Sequence, residues 1–311
     1  VDSPMKHNQV RQVVFPILTA FIWGTSFVAQ DICADVMGAF TFNASRYYIA
    51  TLALLVLVAV RAAAEKKEER PSLSREEKKS ARRQLWLGGF CCGTALAFAS
   101  NFQQAGMVAG TDSGKAGFLT ALYVVLVPVF GLFFRRKVDP PVWVAVALSV
   151  AALYLLCMKG SFSLAAGDLL VLVCAVCFAV HILVIDHFTA FCDGVKLSCI
   201  QFLFAGSWSA VCMLIFDNVD LHVLLSNILP LLYMGVFSCG IGYTLQILAQ
   251  KDSNPTVVTI LLSLESVFAV IAGAIVLHQS MSAREYIGCV LMFIAVLLAQ
   301  IPMPAKKRAA Q

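Results

Sequence analysis

The chain has 311 residues, of which 60% are hydrophobic and 13% charged. Soluble domains carry about 25% charged residues, so this composition excludes a water-soluble enzyme or binding domain. The formal net charge of +5 does not indicate a nucleic-acid partner, because the basic residues stand in short blocks between apolar runs, as they do in the loops of membrane proteins.

The apolar runs predict an all-α integral membrane protein. A spanning helix needs about 20 mostly apolar residues. Ten stretches meet this requirement, and they lie at roughly 13–30, 39–60, 85–106, 113–134, 142–158, 167–187, 195–216, 228–249, 256–277 and 283–301. Only the basic loop 61–84, with nine Lys/Arg, is long. Ser74 and Glu77 have the form of a capping box there, which predicts a short charged helix on the membrane face that reaches into the third span.

The distribution of Lys and Arg predicts the orientation. With the N-terminus inside, nineteen of the 23 basic residues fall in inner segments, whereas Lys115, Lys159 and Arg284 fall outside and Arg46 lies within a span. Cytoplasmic loops carry the excess of basic residues in membrane proteins. We therefore expect a multi-pass protein of the cell (inner) membrane of a bacterium, with both termini in the cytoplasm.

The two halves of the chain resemble each other. A shift of 142 residues aligns the later spans, and a shift of 155 aligns the first two. The aligned pairs include Gly93 with Gly235, Leu122 with Leu264, Tyr123 with Glu265, and Arg46 with Gln201. The difference between the two shifts is the extra length of the basic loop over its counterpart 217–227, so a single insertion reconciles both alignments.

Each half holds five predicted spans, an odd number, so the second half enters the membrane from the opposite side. We expect residues 1–160 and 161–311 to be two inverted five-helix repeats of one integral unit. Such repeats have a pseudo-two-fold axis in the membrane plane and a site near the midplane that opens to each side in turn. This symmetry favours a carrier over a channel or an enzyme.

Short motifs along the chain resemble EamA-type members of the drug/metabolite transporter superfamily. They are Trp23-Gly24 with Ser26-Phe27, Thr111 to Pro128, Gly167-Asp168-Leu169-Leu170 leading to Cys177-Phe178-Ala179, and Ser263-Leu264-Glu265 with Gly288 downstream. The resemblance covers nearly the whole chain. It implies ten helices in a five-plus-five inverted repeat, a central cavity, and transport of metabolites, amino acids, nucleotide sugars or drugs. The chain departs from the family pattern at Ser266, where Pro is common, and at His278-Gln279, where Gly-Glu is common.

Two charged residues within predicted spans are candidate substrate contacts. An arginine at the bilayer centre costs about 3 kcal/mol on insertion scales, so Arg46 must extend to the outer interface, pair with another group, or face a watery cavity, where it would attract a carboxylate or phosphate. Glu265 lies near the middle of the ninth span, out of reach of the interface. It could bind a cationic group, couple transport to protons, or bond a neighbouring helix.

Other polar and aromatic residues complete the predicted substrate-binding set. They are Trp23, Asn101, Gln104, Tyr123, His181 and Gln246. Each has a structural alternative, because amides bond connecting turns, a buried histidine bonds backbone, and aromatic rings pack. No catalytic residue, metal or cofactor is predicted, and the eleven cysteines are interpreted as packing residues.

Arg46 and Glu265 would present opposite charges roughly 5–10 Å apart in depth, which suits a zwitterion. The predicted function is a secondary transporter that moves a small polar metabolite, such as an amino acid, across the cell membrane by alternating access. An exporter of drugs or other metabolites is the alternative, and an integral-membrane enzyme acting on lipid is a remote one. The predicted partners are the solute and the lipid bilayer, with proton coupling and a homodimer left open.

Overall fold

The computed structural model describes residues 10–65, 74–111, 113–135, 138–158, 164–251, 253–276 and 281–301. Within these residues the chain is helical and contains no β-strand. A helix is present at each of the ten predicted stretches. We number them α1 (Phe15–Ala34, after the π-helical turn Val10–Val14), α2 (Ala39–Glu65), α3 (Arg75–Val108), α4 (Ser113–Ala121 and Tyr123–Phe133), α5 (Pro140–Cys157), α6 (Ala166–Thr189), α7 (Gly194–Phe216), α8 (Ile228–Leu232, the π-helical Tyr233–Tyr243 and Thr244–Gln250, after the short helix Leu221–Ser226), α9 (Pro255–Leu262 and Glu265–Val276) and α10 (Ala283–Ala299).

Eight helices in the described part of the chain are long and apolar enough to cross a membrane. The qualifying segments are Ala39–Ala64, Arg75–Val108, Lys115–Phe133, Pro140–Cys157, Ala166–Thr189, Gly194–Phe216, Ile228–Gln250 and Pro255–Ala272. The two helices outside this group are α1, with 20 residues, and α10, with 17. The prediction of an all-helical, multi-pass membrane protein is thereby confirmed.

The charged segment before the third span differs from its prediction. The capping box is present, since the Ser74 hydroxyl accepts from the Glu77 backbone N–H at 3.2 Å and Glu77 accepts from the Ser74 N–H at 2.8 Å. The charged residues after it form no separate helix. They are the first turns of α3, whose 34 residues extend for about 51 Å. The other side of the loop is helical as far as Glu65, and residues 66–73 lie outside the described part.

The helices assemble mainly as two groups of three. In one group α3, α4 and α6 contact one another, and in the other α1, α8 and α9 do so. Each group therefore combines helices from both halves of the chain. The long pair α2 and α7 packs between the groups, with α2 against α8 and α7 against α3, while α5 packs against α10.

Glycines allow the closest approaches between α2 or α7 and the two groups. A Cβ atom on Gly93 would lie 2.5 Å from the Gln201 carbonyl oxygen. A Cβ atom on Gly235 would lie 2.4 Å from Ile49 Cγ2 and 3.0 Å from the Arg46 carbonyl oxygen. Small residues at helix contacts of this kind provide the van der Waals packing that holds membrane helices together.

Replacing Gly93 with alanine is expected to lower the thermal stability of the detergent-solubilised protein. The added methyl group would collide with rigid backbone, and overpacking of this kind costs about 1–3 kcal/mol. The matched control is Gly117→Ala, because a Cβ atom at Gly117 would meet only Phe27 Cζ, at 3.8 Å. A melting temperature that falls equally in both variants would contradict the close-contact explanation.

A buried ion pair joins α6 to the start of α4. The Asp168 carboxylate is 1% exposed, forms a salt bridge with Lys115 and accepts hydrogen bonds from the Thr111 hydroxyl at 2.9 Å and the Ala165 N–H at 2.7 Å. Because α6 belongs to the second half of the chain and Lys115 to the first, this ion pair holds the two halves together at one end of the bundle.

We expect Asp168→Ala to destabilise the protein by about 1–3 kcal/mol, because it leaves several buried donors without their acceptor. The measurement is thermal unfolding in detergent. Asp139→Ala is the control, since the Asp139 side chain makes no capping hydrogen bond to its own helix. Equal stability of Asp168→Ala and the wild type would show that the ion pair contributes nothing.

Candidate functional site

A cavity lies between the two helix groups. Its walls come from α1, α2, α3, α4, α6, α8 and α9, so both groups and both halves of the chain contribute. The lining residues are Trp23, Ser26, Phe27, Gln30, Arg46, Gln103, Thr120, Tyr123, Phe178, Ile182, Met234, Ser238, Tyr243, Gln246, Leu262 and Glu265.

Two interrupted helices meet the cavity at their breaks. Helix α4 is broken at Leu122, and α9 is broken at Ser263 and Leu264. Tight turns replace the regular helical bonds there, with the Leu122 N–H donating to the Leu119 carbonyl at 3.3 Å and the Leu264 N–H to the Leu261 carbonyl at 3.2 Å. Irregular backbone at membrane depth is tolerated only inside protein or beside a cavity, and discontinuous helices form the solute sites of many transporters.

The guanidinium of Arg46 lies in the cavity wall and does not extend to the membrane surface. The residue is 4% exposed. Its NH2 donates to the Tyr47 hydroxyl at 3.3 Å, and the group stands 4.8 Å from the Phe42 ring centre and 5.0 Å from that of Tyr47. Within the described residues, Arg46 forms no ion pair and its Nε has no hydrogen-bond partner. The cavity wall therefore carries a cation whose Nε–H donor has no hydrogen-bond partner among the described residues.

Glu265 is the first residue after the break in α9 and lines the same cavity. It is 6% exposed, and its carboxylate has no hydrogen-bond or ion-pair partner among the side chains that the structure describes. A buried carboxylate without a partner is costly. Tyr243 also lines this cavity. Arg46 and Glu265 thus line one cavity, and no ion pair joins them among the described residues.

One side of the cavity is built from linked amide and hydroxyl groups. The Gln30 amide donates to Gln104 Oε1 at 2.9 Å, and the Gln103 amide donates to the Thr120 hydroxyl at 3.0 Å. Gln246 also lines the cavity, and its Oε1 has no partner within the described part of the chain. The site therefore offers neutral hydrogen-bonding groups in addition to its two charges.

Aromatic rings form much of the remaining wall. The Trp23 indole donates to the Ser238 carbonyl at 3.1 Å, and its ring lies 4.7 Å from that of Tyr243. The Tyr123 hydroxyl has no hydrogen-bond partner among the described residues, although its ring contacts Phe178. Rigid rings with a few directed polar groups are characteristic of sites that bury most of a small ligand.

Five of the eight residues predicted as substrate contacts line this cavity. They are Trp23, Arg46, Tyr123, Gln246 and Glu265. No ligand is present, so their role in binding stays a prediction. What the structure adds is that residues far apart in sequence converge on one enclosed volume.

The other three predicted contacts, Asn101, Gln104 and His181, are not among the residues that line the cavity, and their role in binding also stays a prediction. Asn101 accepts from the Asn43 amide at 2.8 Å in a buried polar cluster between helices. Gln104 is fully buried and bonds Gln30. The imidazole of His181 is fully buried and pairs with Gln201 at 3.1 Å. Each side chain thus bonds a side chain of a neighbouring helix, while Gln104 Nε2 and His181 Nδ1 have no hydrogen-bond partner among the described residues.

Several lining residues were absent from the sequence-based set. The polar ones are Ser26, Gln30, Gln103, Thr120 and Ser238. Their spans are apolar on the sides that face lipid as well as on the sides that face protein, so the pattern does not show which way each helix is turned. The proximity of Thr120 to the break at Leu122 was the available signal. Among the described residues, no group of three or more His, Cys, Asp or Glu could hold a metal ion.

Known proteins share this architecture. A solved crystal structure superposes with a TM-score of 0.74 over 93% of this chain and 96% of that one, at 16% identity, which establishes similarity of fold. An uncharacterized transporter of Archaeoglobus fulgidus is 28% identical over 285 residues, covering 91% of this chain and 84% of the relative. The EamA-like transporter family matches residues 11–158 and again residues 165–300. The chain therefore belongs to the EamA-like transporter family.

Proposed function

We propose that this transporter is a secondary carrier for a small zwitterionic solute, such as an amino acid, and that it works by alternating access. The observation that carries the proposal is that Arg46 and Glu265, neither of which has an ion-pair partner among the described residues, line one cavity. A planar guanidinium suits a carboxylate, since it presents parallel N–H donors. The carboxylate of Glu265 complements an ammonium group, so a zwitterion would satisfy both buried charges at once.

Alternating access requires two equivalent halves, and we propose that residues 1–160 and 161–311 are inverted five-helix repeats. The helix contacts support this. In the proposed repeat, α1–α5 correspond in order to α6–α10. The contact of α3 with α6 then corresponds to that of α8 with α1, and the contact of α4 with α6 corresponds to that of α9 with α1. All four contacts are present. A carrier with such halves can interchange their conformations and expose the cavity to either side.

Individual residues support the same repeat. Gly93 approaches the backbone of Gln201, and Gly235, its counterpart, approaches the backbone of Arg46, the counterpart of Gln201. The breaks of α4 and α9 fall at Leu122 and Leu264, which the same alignment pairs. The family also matches each half of the chain separately.

We propose ten spans with both termini in the cytoplasm of a bacterium, from the excess of Lys and Arg in the inner segments. Single cysteines replacing Arg70, Lys137 and Lys307 in a cysteine-free background are expected to resist membrane-impermeant thiol reagents in right-side-out vesicles. All three positions lie outside the described residues. Val219→Cys, between α7 and α8, is the control and should be labelled. Labelling of all three positions from outside would show that the protein has the opposite orientation.

Counterflow in sealed vesicles tests the carrier mechanism. The purified protein is reconstituted in vesicles loaded with one unlabelled amino acid at a time, and entry of the same radiolabelled amino acid is followed. A carrier exchanges solutes across the membrane, so unlabelled amino acid inside should accelerate entry of the label. A flux indifferent to the inner solute would indicate a channel, and chemical alteration of a lipid or solute would indicate an enzyme.

Export of aromatic or drug-like molecules is the second candidate function. The rings of Trp23, Phe27, Tyr123, Phe178 and Tyr243 in the cavity wall favour it, because they supply a large apolar surface. This candidate requires that aromatic or drug-like molecules that lack a carboxylate compete with the amino acid for the site. The competition experiment at the end of the Discussion separates the two candidates.

A further inference from the structure

The first turns of α3 carry five cations on one face. Arg75, Lys78, Lys79, Arg82 and Arg83 follow a spacing of three and four residues, which places side chains next to one another along a helix. All five are exposed. None has an ion-pair or hydrogen-bond partner among the residues that the structure describes. We call these five residues the basic stripe.

The basic stripe leads directly into residues that face lipid. Trp86 and Phe90 continue the same helical spacing and are 43% and 42% exposed. Both rings meet Phe204 of α7 edge to face, with centroids 6.1 and 5.2 Å apart. Gly88, on another face of α3, is buried against Phe188, whereas Gly89, three residues after Trp86, is buried against Ile200 of α7. The face of α3 that carries the cations therefore borders α7 along one edge and carries the exposed rings of Trp86 and Phe90 along the other.

The length of α3 places the cations at headgroup depth. Tryptophan is enriched at the boundary between hydrocarbon and headgroups, and Trp86 provides such an anchor. At 1.5 Å per residue, Arg82 and Arg83 lie roughly 5 Å beyond Trp86 along the helix, and Lys78 and Lys79 roughly 11 Å beyond it. The headgroup layer on each side of the hydrocarbon core is roughly 5–8 Å thick. Two cations therefore lie at phosphate depth and the next two lie within a Debye length of it.

We propose that the basic stripe, together with Trp86, is a docking surface for anionic phospholipid headgroups of the cytoplasmic leaflet. Lipid phosphate matches it because the cations stand in line above an aromatic surface that already faces acyl chains. A soluble acidic partner would not need that continuity. Clusters of Lys and Arg just beyond a transmembrane helix attract anionic lipid in general. This inference goes beyond the proposed function and does not depend on which solute is carried.

Fluorescence quenching of Trp86 tests the proposal. The protein keeps Trp86 as its only tryptophan, with Trp23, Trp143 and Trp208 replaced by phenylalanine. It is reconstituted in equimolar phosphatidylglycerol and phosphatidylcholine, with bromine on the acyl chains of one lipid or the other. We expect brominated phosphatidylglycerol to quench Trp86 more strongly than brominated phosphatidylcholine. High salt should reduce the difference, since it screens exposed charges.

Replacing Lys78, Lys79, Arg82 and Arg83 together with glutamine should abolish the preference for the anionic lipid. The matched control replaces Lys196 and Lys251, cations elsewhere on the same proposed side, and should keep the preference. Equal quenching by the two brominated lipids in the Trp86 protein would overturn the proposal, as would a preference that survives loss of the stripe. These outcomes do not depend on transport. Failure of the lipid proposal can therefore be distinguished from failure of the carrier proposal.

Discussion

Replacement of Arg46 by methionine is expected to weaken binding of a zwitterionic solute strongly, and to reduce its transport to near background, without harming the fold. Hydrogen bonds to charged groups contribute about 1.5–3 kcal/mol each, so loss of one contact with the solute carboxylate should weaken binding about ten- to hundredfold. The guanidinium has no carboxylate partner among the described residues, and its burial is offset only by the Tyr47 hydroxyl and the rings of Phe42 and Tyr47. Because burying a charge without an opposite charge is costly, an apolar side chain of similar volume should leave the fold intact.

The measurement pairs two readings on the same purified variant. Uptake of radiolabelled amino acids should fall to near the level of empty vesicles, whereas the melting temperature in detergent should equal or exceed that of the wild type. Arg46→Lys is the matched control, because it keeps the charge but loses the planar donors, and we expect it to retain partial binding. Full transport by Arg46→Met would show that the cation takes no part in binding the solute. A large fall in melting temperature would show that Arg46 is a structural residue.

Glu265→Gln is expected to remove the pH dependence of solute binding. Glutamine keeps the shape of the side chain but cannot ionise, so it cannot attract an ammonium group. In the wild type, binding should strengthen as pH rises, because the deprotonated carboxylate is the form that attracts the cation and a proton competes with the solute. In the variant, binding should be weak and should not change with pH.

Thermal shift of the detergent-solubilised protein with single amino acids, measured across a pH series, provides the test, since a ligand that binds only the native state raises its apparent stability. Asp139→Asn serves as the control, because that carboxylate lies outside the cavity lining, and it should retain the wild-type profile. A Glu265→Gln variant with unchanged affinity and pH profile would assign Glu265 to helix bonding alone.

The helices were predictable because lipid imposes a simple requirement on sequence. Every backbone polar group in hydrocarbon must be bonded internally, so a long apolar run has to be a helix. The predicted third span illustrates the limit of this argument. Hydropathy placed the start of the span near residue 85, whereas the helix itself begins at Arg75, after the Ser74 cap that the sequence also predicted.

The sequence marked candidate site residues most clearly where a charged side chain lies within a predicted membrane span. Arg46 and Glu265 attracted attention because a charge within a span needs an explanation. Uncharged residues gave weaker signals, as a comparison of neighbours shows. Asn101 bonds Asn43 within the protein, whereas Gln103, two residues on, lines the cavity. In a helix that is apolar on all sides, the rotation that separates these two positions is set by packing with neighbouring helices, which sequence pattern does not reveal.

His181 shows how packing can bond a residue that sequence marks as functional to a neighbouring helix. Its partner Gln201 is the counterpart of Arg46 in the proposed repeat. Under that proposal, one half of the protein presents a cation to the cavity, and the other carries at the equivalent position an amide that is bonded to a buried histidine.

Competition for uptake tests the central claim most directly. Entry of a radiolabelled amino acid into vesicles is measured against unlabelled amino acids, quaternary amines and nucleotide sugars, with wild-type protein and with Arg46→Met. The carrier proposed here should be inhibited by zwitterions in the wild type, only weakly by the other two classes, and should show uptake near background in the variant. Inhibition by lipophilic cations alone, or by nucleotide sugars alone, would contradict a site built on the opposite charges of Arg46 and Glu265.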